Sequence, residues 1–150
     1  MVTAAASLFP LTACTPADLP VLAARSVDGQ PVLLIASCAK LDAKRIAVSA
    51  DEEPSLVWWV KREDGDVPPE ATLLEVPDGW QETERSLTEF VPGKNYGVSV
   101  YGDRKATPIR FTLERLAELK PGQVLVGDPP SKGKVVSEDK FRAKAKKACD

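Results

Sequence analysis

The sequence predicts a mainly β fold, an antiparallel sandwich with a short C-terminal helical appendage. Three observations carry this. Short apolar stretches recur at regular spacing from Val21 to Thr112, with turn residues between them, as in a sandwich. Asp28-Gly29 separates two apolar runs, and Gly there tolerates the positive φ of a tight hairpin. After Thr112 the pattern changes: Leu113, Leu116 and Leu119 recur three apart, one narrow helix face.

Each element follows from local chemistry. Val21 to Val27 alternates loosely, and Pro31 to Cys38 reads as a strong strand after the turn. Arg45 to Ser49 is a third strand, and Asp51-Glu52-Glu53-Pro54 a polar loop. Ser55 to Arg62 is a fourth strand, closed by the Glu63–Asp66 turn. The paired prolines Pro68 and Pro69 keep the next residues irregular. Ala71 to Val76 is expected as a fifth strand before the turn Pro77-Asp78-Gly79. Ser86 to Phe90, Asn95 to Tyr101 and Thr107 to Thr112 are expected as three more. Thr112 caps a short helix that Pro121-Gly122 ends, and Gln123 to Gly127 is apolar enough for an added edge strand. Asp128 to Gly133 is a loop, and Ser137 starts a last helix. Glu138 and Asp139 sit at its positive end and Lys144, Lys146 and Lys147 at its negative end, as the macrodipole prefers. Phe141, Ala145 and Ala148 form its apolar side, which predicts docking rather than a free tail.

The run Leu87 to Tyr101 resembles one corner of a fibronectin type III domain. There a leucine strand meets Pro-Gly, a polar pair, a tyrosine and an alternating strand, here Pro92-Gly93, Lys94-Asn95, Tyr96 and Gly97 to Tyr101. The resemblance implies that the Tyr96 hydroxyl returns to backbone as a tyrosine corner, with Val98 and Val100 pointing inward. The doublet Trp58-Trp59 stands where that family has a lone core tryptophan. An immunoglobulin-like sandwich of non-standard topology is therefore an equal reading, and neither implies a function.

Leu11-Thr12-Ala13-Cys14 resembles the lipobox of bacterial secreted lipoproteins, and residues 2–13 are uncharged and apolar or small. They suit a signal-peptide core and are too short to span a bilayer, which takes about 20 apolar residues. The charged n-region of such signals is missing, since no Lys or Arg precedes the apolar run. The Ala/Arg/Pro-rich usage is similar to that of small lipoproteins of actinobacteria. The resemblance implies cleavage before Cys14, a diacylglycerol on its sulfur, and a place on the extracellular face of the cell membrane. Two or more acyl chains anchor stably where one does not. The chain then divides into a signal peptide (1–13), a Pro-containing tether (14–20), the sandwich (21–112) and the appendage (113–150). Lipidation of Cys14 leaves Cys38 and Cys149 as an even pair in an oxidising place. A bridge between them would contribute about 4.7 kcal/mol in the chain-entropy model. The alternative is two separate thiols, and with Cys14 unmodified three pairings compete.

The charge balance is slightly acidic, −2 over 150 residues, but uneven. From Ser131 onward seven bases (Lys132, Lys134, Lys140, Arg142, Lys144, Lys146, Lys147) face three acids (Glu138, Asp139, Asp150), so the tail is +4 and the remainder −6. A solvated helix face is the first reading of the tail, and anionic lipid or an anionic wall polymer the second. Nucleic acid is excluded as a partner by export and by the lack of interleaved aromatics.

No catalytic constellation emerges. The chain has no His, the commonest general base and metal ligand. Ser37 and Lys40 match Ser-x-x-Lys of penicillin-binding enzymes, but the match ends a strand and the family's partner motifs are missing. Asp64, Asp66 and Glu70 fit a solvated turn better than a calcium loop. No cofactor and no metal ligand set is expected. Trp58 and Trp59 must point to opposite strand faces, so one is core and the other, with Trp80, is a candidate aromatic platform. The functional expectation is a non-catalytic cell-surface lipoprotein that binds an envelope protein or glycan. The alternatives are an accessory or inhibitor-type module and, third, a hydrolase using Ser37 and Lys40.

Membrane-extracted protein is expected to begin at an acylated Cys14, with Cys38 and Cys149 alkylated only after reduction. An intact mass showing Met1 in place and three free thiols would remove the localisation.

Overall fold

A computed structural model describes residues 15–150; the leader and Cys14 lie outside the described residues. Ten strands and two helices follow in chain order: β1 Leu22–Val27, β2 Gln30–Ile35, β3 Arg45–Ala50, β4 Val57–Arg62, β5 Glu70–Thr72, β6 Trp80–Arg85, β7 Tyr96–Tyr101, β8 Ile109–Phe111, α1 Leu113–Ala117, β9 Gln123–Val126, β10 Lys134–Ser137 and α2 Glu138–Cys149. They build two five-stranded sheets, ordered β10-β9-β1-β2-β5 and β6-β4-β3-β7-β8. Neighbouring strands within both sheets run antiparallel. The fold is the expected β-sandwich, compatible with the immunoglobulin and fibronectin type III architecture. The hairpin β9-β10 extends one sheet beyond β1.

The β1–β2 hairpin closes through Asp28 (φ 51°) and Gly29 (φ 78°). Two successive positive φ values match the right-handed twist of the paired strands. In the second sheet alternation sets the core. Register aligns Trp58 with Val48 and Val98, and Val60 with Ile46 and Val100, and all six are fully buried. The first sheet is covered on both faces at its centre. Its β2 residues Val32, Leu33, Leu34 and Ile35 are all buried, as in a strand with no solvent side. Register puts Ala23, Arg25, Val32, Leu34 and Glu70 on one face. Arg25 on that face pairs with Glu70 and, at 3.1 Å, with Glu138 of α2. The helix therefore lies over this outer face with Phe141 and Ala145 buried.

Three attachments hold α2. Ser137 accepts from the Lys140 N–H at its start. Cys149 is joined to Cys38, across 111 positions of sequence. Lys40 Nζ donates to the carbonyls of Ala148 (3.1 Å) and Asp150 (3.2 Å), placing a cation at the negative helix end. The described start of the chain is also docked: Leu19 is buried, bridges Ala106, and bonds to the backbone of Lys105 and Thr107.

The Tyr96 Oη accepts from the Val91 N–H at 2.7 Å, and its ring packs edge-on to Phe90 at 4.8 Å. Val98 and Val100 face the core.

Three expectations are corrected. Ser86–Phe90 is not a strand: the Ser86 hydroxyl accepts from the Val57 N–H and donates to the Ser55 carbonyl, so a side chain ends the ladder there. Leu87 is buried and Phe90 half-buried beyond it, outside any strand. The partner of β4 is instead Trp80–Arg85, a polar segment that buries only Trp80. The fifth strand stops at Thr72 rather than Val76, because Leu74 takes φ 71° and the chain turns, with Glu75 N–H on the Thr72 carbonyl. Lys134–Ser137, expected only as the approach to the last helix, pairs along its length with β9.

Replacing both Cys38 and Cys149 by Ser is expected to lower unfolding free energy by up to about 4.7 kcal/mol, read from urea midpoints. Tyr96→Phe should cost about 1 kcal/mol through the orphaned Val91 N–H, with β content by circular dichroism unchanged.

Candidate functional site

The outer face of the second sheet carries the exposed aromatics. Across it, register places Trp59 beside Ala47 and Ser99 in one row. Lys61, Arg45 and Tyr101 form the next, and Val57, Ser49, Gly97 and Arg110 a third. The middle strands β3 and β7 thus present Ala47, Ser49, Gly97 and Ser99, side chains too short to fill the space between taller neighbours. Trp59 is 36% and Tyr101 40% exposed. Trp59 flanks this shallow trough from β4, and Tyr101 closes its end on β7, two strands across and two residues along, about 12 Å away. Arg110 pairs with Asp51 at 3.0 Å at one end. Arg62 and Lys44 converge on Asp42, and Lys44 reaches Asp103 at 2.5 Å, near the other. The Arg62 guanidinium, with Lys44 beside it, holds the Asp42 carboxyl below its ordinary range. Asp103 raises the Lys44 ammonium.

The three tryptophans separate. Trp58 is fully buried on the inner face, and its Nε1 donates to Glu82 at 2.9 Å. Trp80 is buried too, its Nε1 donating to the Asp66 carbonyl at 3.0 Å. A Trp59–Trp80 platform therefore does not form, and Tyr101 is the other exposed aromatic of this face. Sequence reading missed Tyr101, although it lies two and four residues beyond the outward Ser99 and Gly97 on an alternating strand. The bulge between Trp59 and Val60, opposite β6, adds local twist at the edge carrying Trp59.

Ser37 and Lys40 do not form a dyad. The Lys40 ammonium is directed at the α2 carbonyls described above. The Asp64–Asp66 turn is organised by backbone: the N–H groups of Glu63, Asp64 and Gly65 all point at the Gly79 carbonyl. A Cβ on Gly65 would stand 2.4 Å from the Asp78 carbonyl oxygen, so glycine is required by close approach. Glu70 is drawn away to Arg25. Among the described residues no three His, Cys, Asp or Glu side chains gather as a metal site, and no helix is long and apolar enough to cross a membrane. The chain matches no protein-family model, no curated protein and no solved structure.

Glu82 links the core to the sheet edge. It accepts from Arg85 Nε (2.9 Å) and from Trp58 Nε1, and the guanidinium first, then the indole, hold its carboxyl below the ordinary glutamate value of 4.5. The unfolded chain then takes up this proton more readily than the folded one. The stabilisation is fully present above pH 4.5 and is lost as pH falls through the lower folded value. Urea midpoints between pH 6 and pH 3 are expected to fall for the native chain and to fall less steeply for Glu82→Gln.

Proposed function

We propose that this chain is a lipid-anchored cell-surface protein that binds an envelope protein or glycan, without catalysis or cofactor, through the outer face of its second sheet. The observation that carries the reading is the pair Trp59 and Tyr101, exposed at the flank and at the end of the trough of Ala47, Ser49, Gly97 and Ser99. Exposed aromatics on a rigid, flat support lose little conformational entropy on contact. Their faces pack well against sugar rings or a partner's apolar surface. The small residues between them leave room for a ligand to lie along the strands. Arg45, Lys61 and Arg110 at the rim supply donors for hydroxyl or carboxylate groups.

The cell-surface half of the proposal rests on Leu11-Thr12-Ala13-Cys14 and is supported by the Cys38–Cys149 bridge. Such bridges persist in oxidising compartments and are rare where thiols are kept reduced.

Immobilised protein is expected to retain isolated wall glycan or one envelope protein. Trp59→Ala should weaken that binding by about 30-fold, the scale of a central aromatic anchor, with thermal midpoint unchanged. Equal retention by native protein and Trp59→Ala would remove this face from the proposal.

A further inference from the structure

The lysines of α2 divide into two unlike flanks. Lys140, Lys144 and Lys147 recur at spacings of four and three, which puts them on one side of the helix, while Phe141 and Ala145 turn inward. On the other side Arg142 pairs with Glu138. Lys134 of β10 joins the first flank: with Lys140, Lys144 and Phe141 it lines one small recess. None of Lys134, Lys140, Lys144 and Lys147 forms an ion pair among the described residues, and residues 1–14 contain no Asp or Glu to supply one. Lys134, Lys140 and Lys144 thus gather without an ion pair beside an apolar floor, and Lys147 follows on the same side of the helix.

The start of the described chain arrives at the same place. Pro20 forms part of the recess wall, next to the paired Leu19. Cys14 is six positions earlier, so its Cα lies within about 22 Å of that of Pro20 even at full extension. A bilayer holding an acyl group on its sulfur would stand within reach of these lysines. The Trp59 face lies on the far side of the sandwich, since α2 covers the outer face of the first sheet and Trp59 projects from the second.

We propose that Lys134, Lys140, Lys144 and Lys147 dock on anionic phospholipid headgroups, holding α2 against the bilayer and turning the Trp59 face outward. The orientation rests on the lipid-anchor reading; the headgroup affinity does not, and the two fail separately. The two acyl chains of the proposed anchor already attach stably, so the patch sets the orientation of the protein on the bilayer rather than its attachment. Each lysine near an anionic surface raises partitioning by about fivefold, and the attraction fades within a Debye length, about 10 Å at 0.1 M salt.

The test uses the full chain without acylation and vesicles of phosphatidylglycerol mixed with phosphatidylcholine, against phosphatidylcholine alone. Sedimentation with the anionic vesicles only, weakened by added salt, is the expected result. Lys140→Gln with Lys144→Gln should lower partitioning about 25-fold. Arg142→Gln with Lys146→Gln, an equal charge change on the other flank, should lower it much less. Lys134→Gln, off the helix, checks the patch with α2 intact and should lower it about fivefold. No binding to anionic vesicles, equal binding to neutral ones, or equal loss from the two flank variants would overturn the proposal. Loss of the anchor reading shows instead as an unacylated Cys14 in the mass of membrane-extracted protein, whatever the vesicles report.

Discussion

The fold depends on covering the outer face of the first sheet. Val32, Leu33, Leu34 and Ile35 are apolar at successive positions, so both faces of β2 must leave water. The second sheet covers one. On the other face α2 packs over β9 and β10 and buries Phe141 and Ala145, and an apolar side chain as large as Phe141 is worth about 1.5–3 kcal/mol when buried. α2 is twelve residues long, too short to persist alone in water. Helix and sheet therefore depend on each other. The bridge to Cys38, the Lys40 contacts and the Arg25–Glu138 pair fix both ends of the helix over that face.

This arrangement also separates two surfaces. The first sheet has part of its outer face taken up by a helix. The second sheet keeps its outer face open, and β3 and β7 line its centre with small side chains. One side of the molecule is consequently basic and helical, and the opposite side is flat with isolated aromatics. The function proposed here uses that asymmetry, one side for attachment and the other for recognition.

Much of the fold was legible because the local signals agree. Asp28-Gly29 dictates its turn, Tyr96 to Tyr101 alternates cleanly, and Ser137-Glu138-Asp139 opens a helix as capping chemistry requires. The misreadings share one physical cause. Trp80–Arg85 buries a single side chain, so it has almost no alternation to detect and is held by backbone pairing and Glu82. Lys134–Ser137 is likewise polar or half-exposed for most of its length. Leu87 and Phe90 are apolar but three apart, a spacing that plugs the end of a sandwich rather than lining a pleat. At the candidate face, the choice between Trp58 and Trp59 was available from their neighbours: Val60 shares a face with the first and Lys61 with the second. That Tyr101 would stand near Trp59 required the β3–β7 register, a pairing between distant segments that no local pattern encodes.

The outermost strands of the two sheets have a consequence of their own. They are β10 and β5 in one and β6 and β8 in the other. Two of the four are three residues long and a third is four. The longest, β6, carries Glu82, Glu84 and Arg85 and faces a bulge. Short, charged or irregular margins offer little backbone for a neighbouring molecule to zip onto. Copies crowded side by side would therefore resist fusing into a continuous sheet, however strongly β the sequence is.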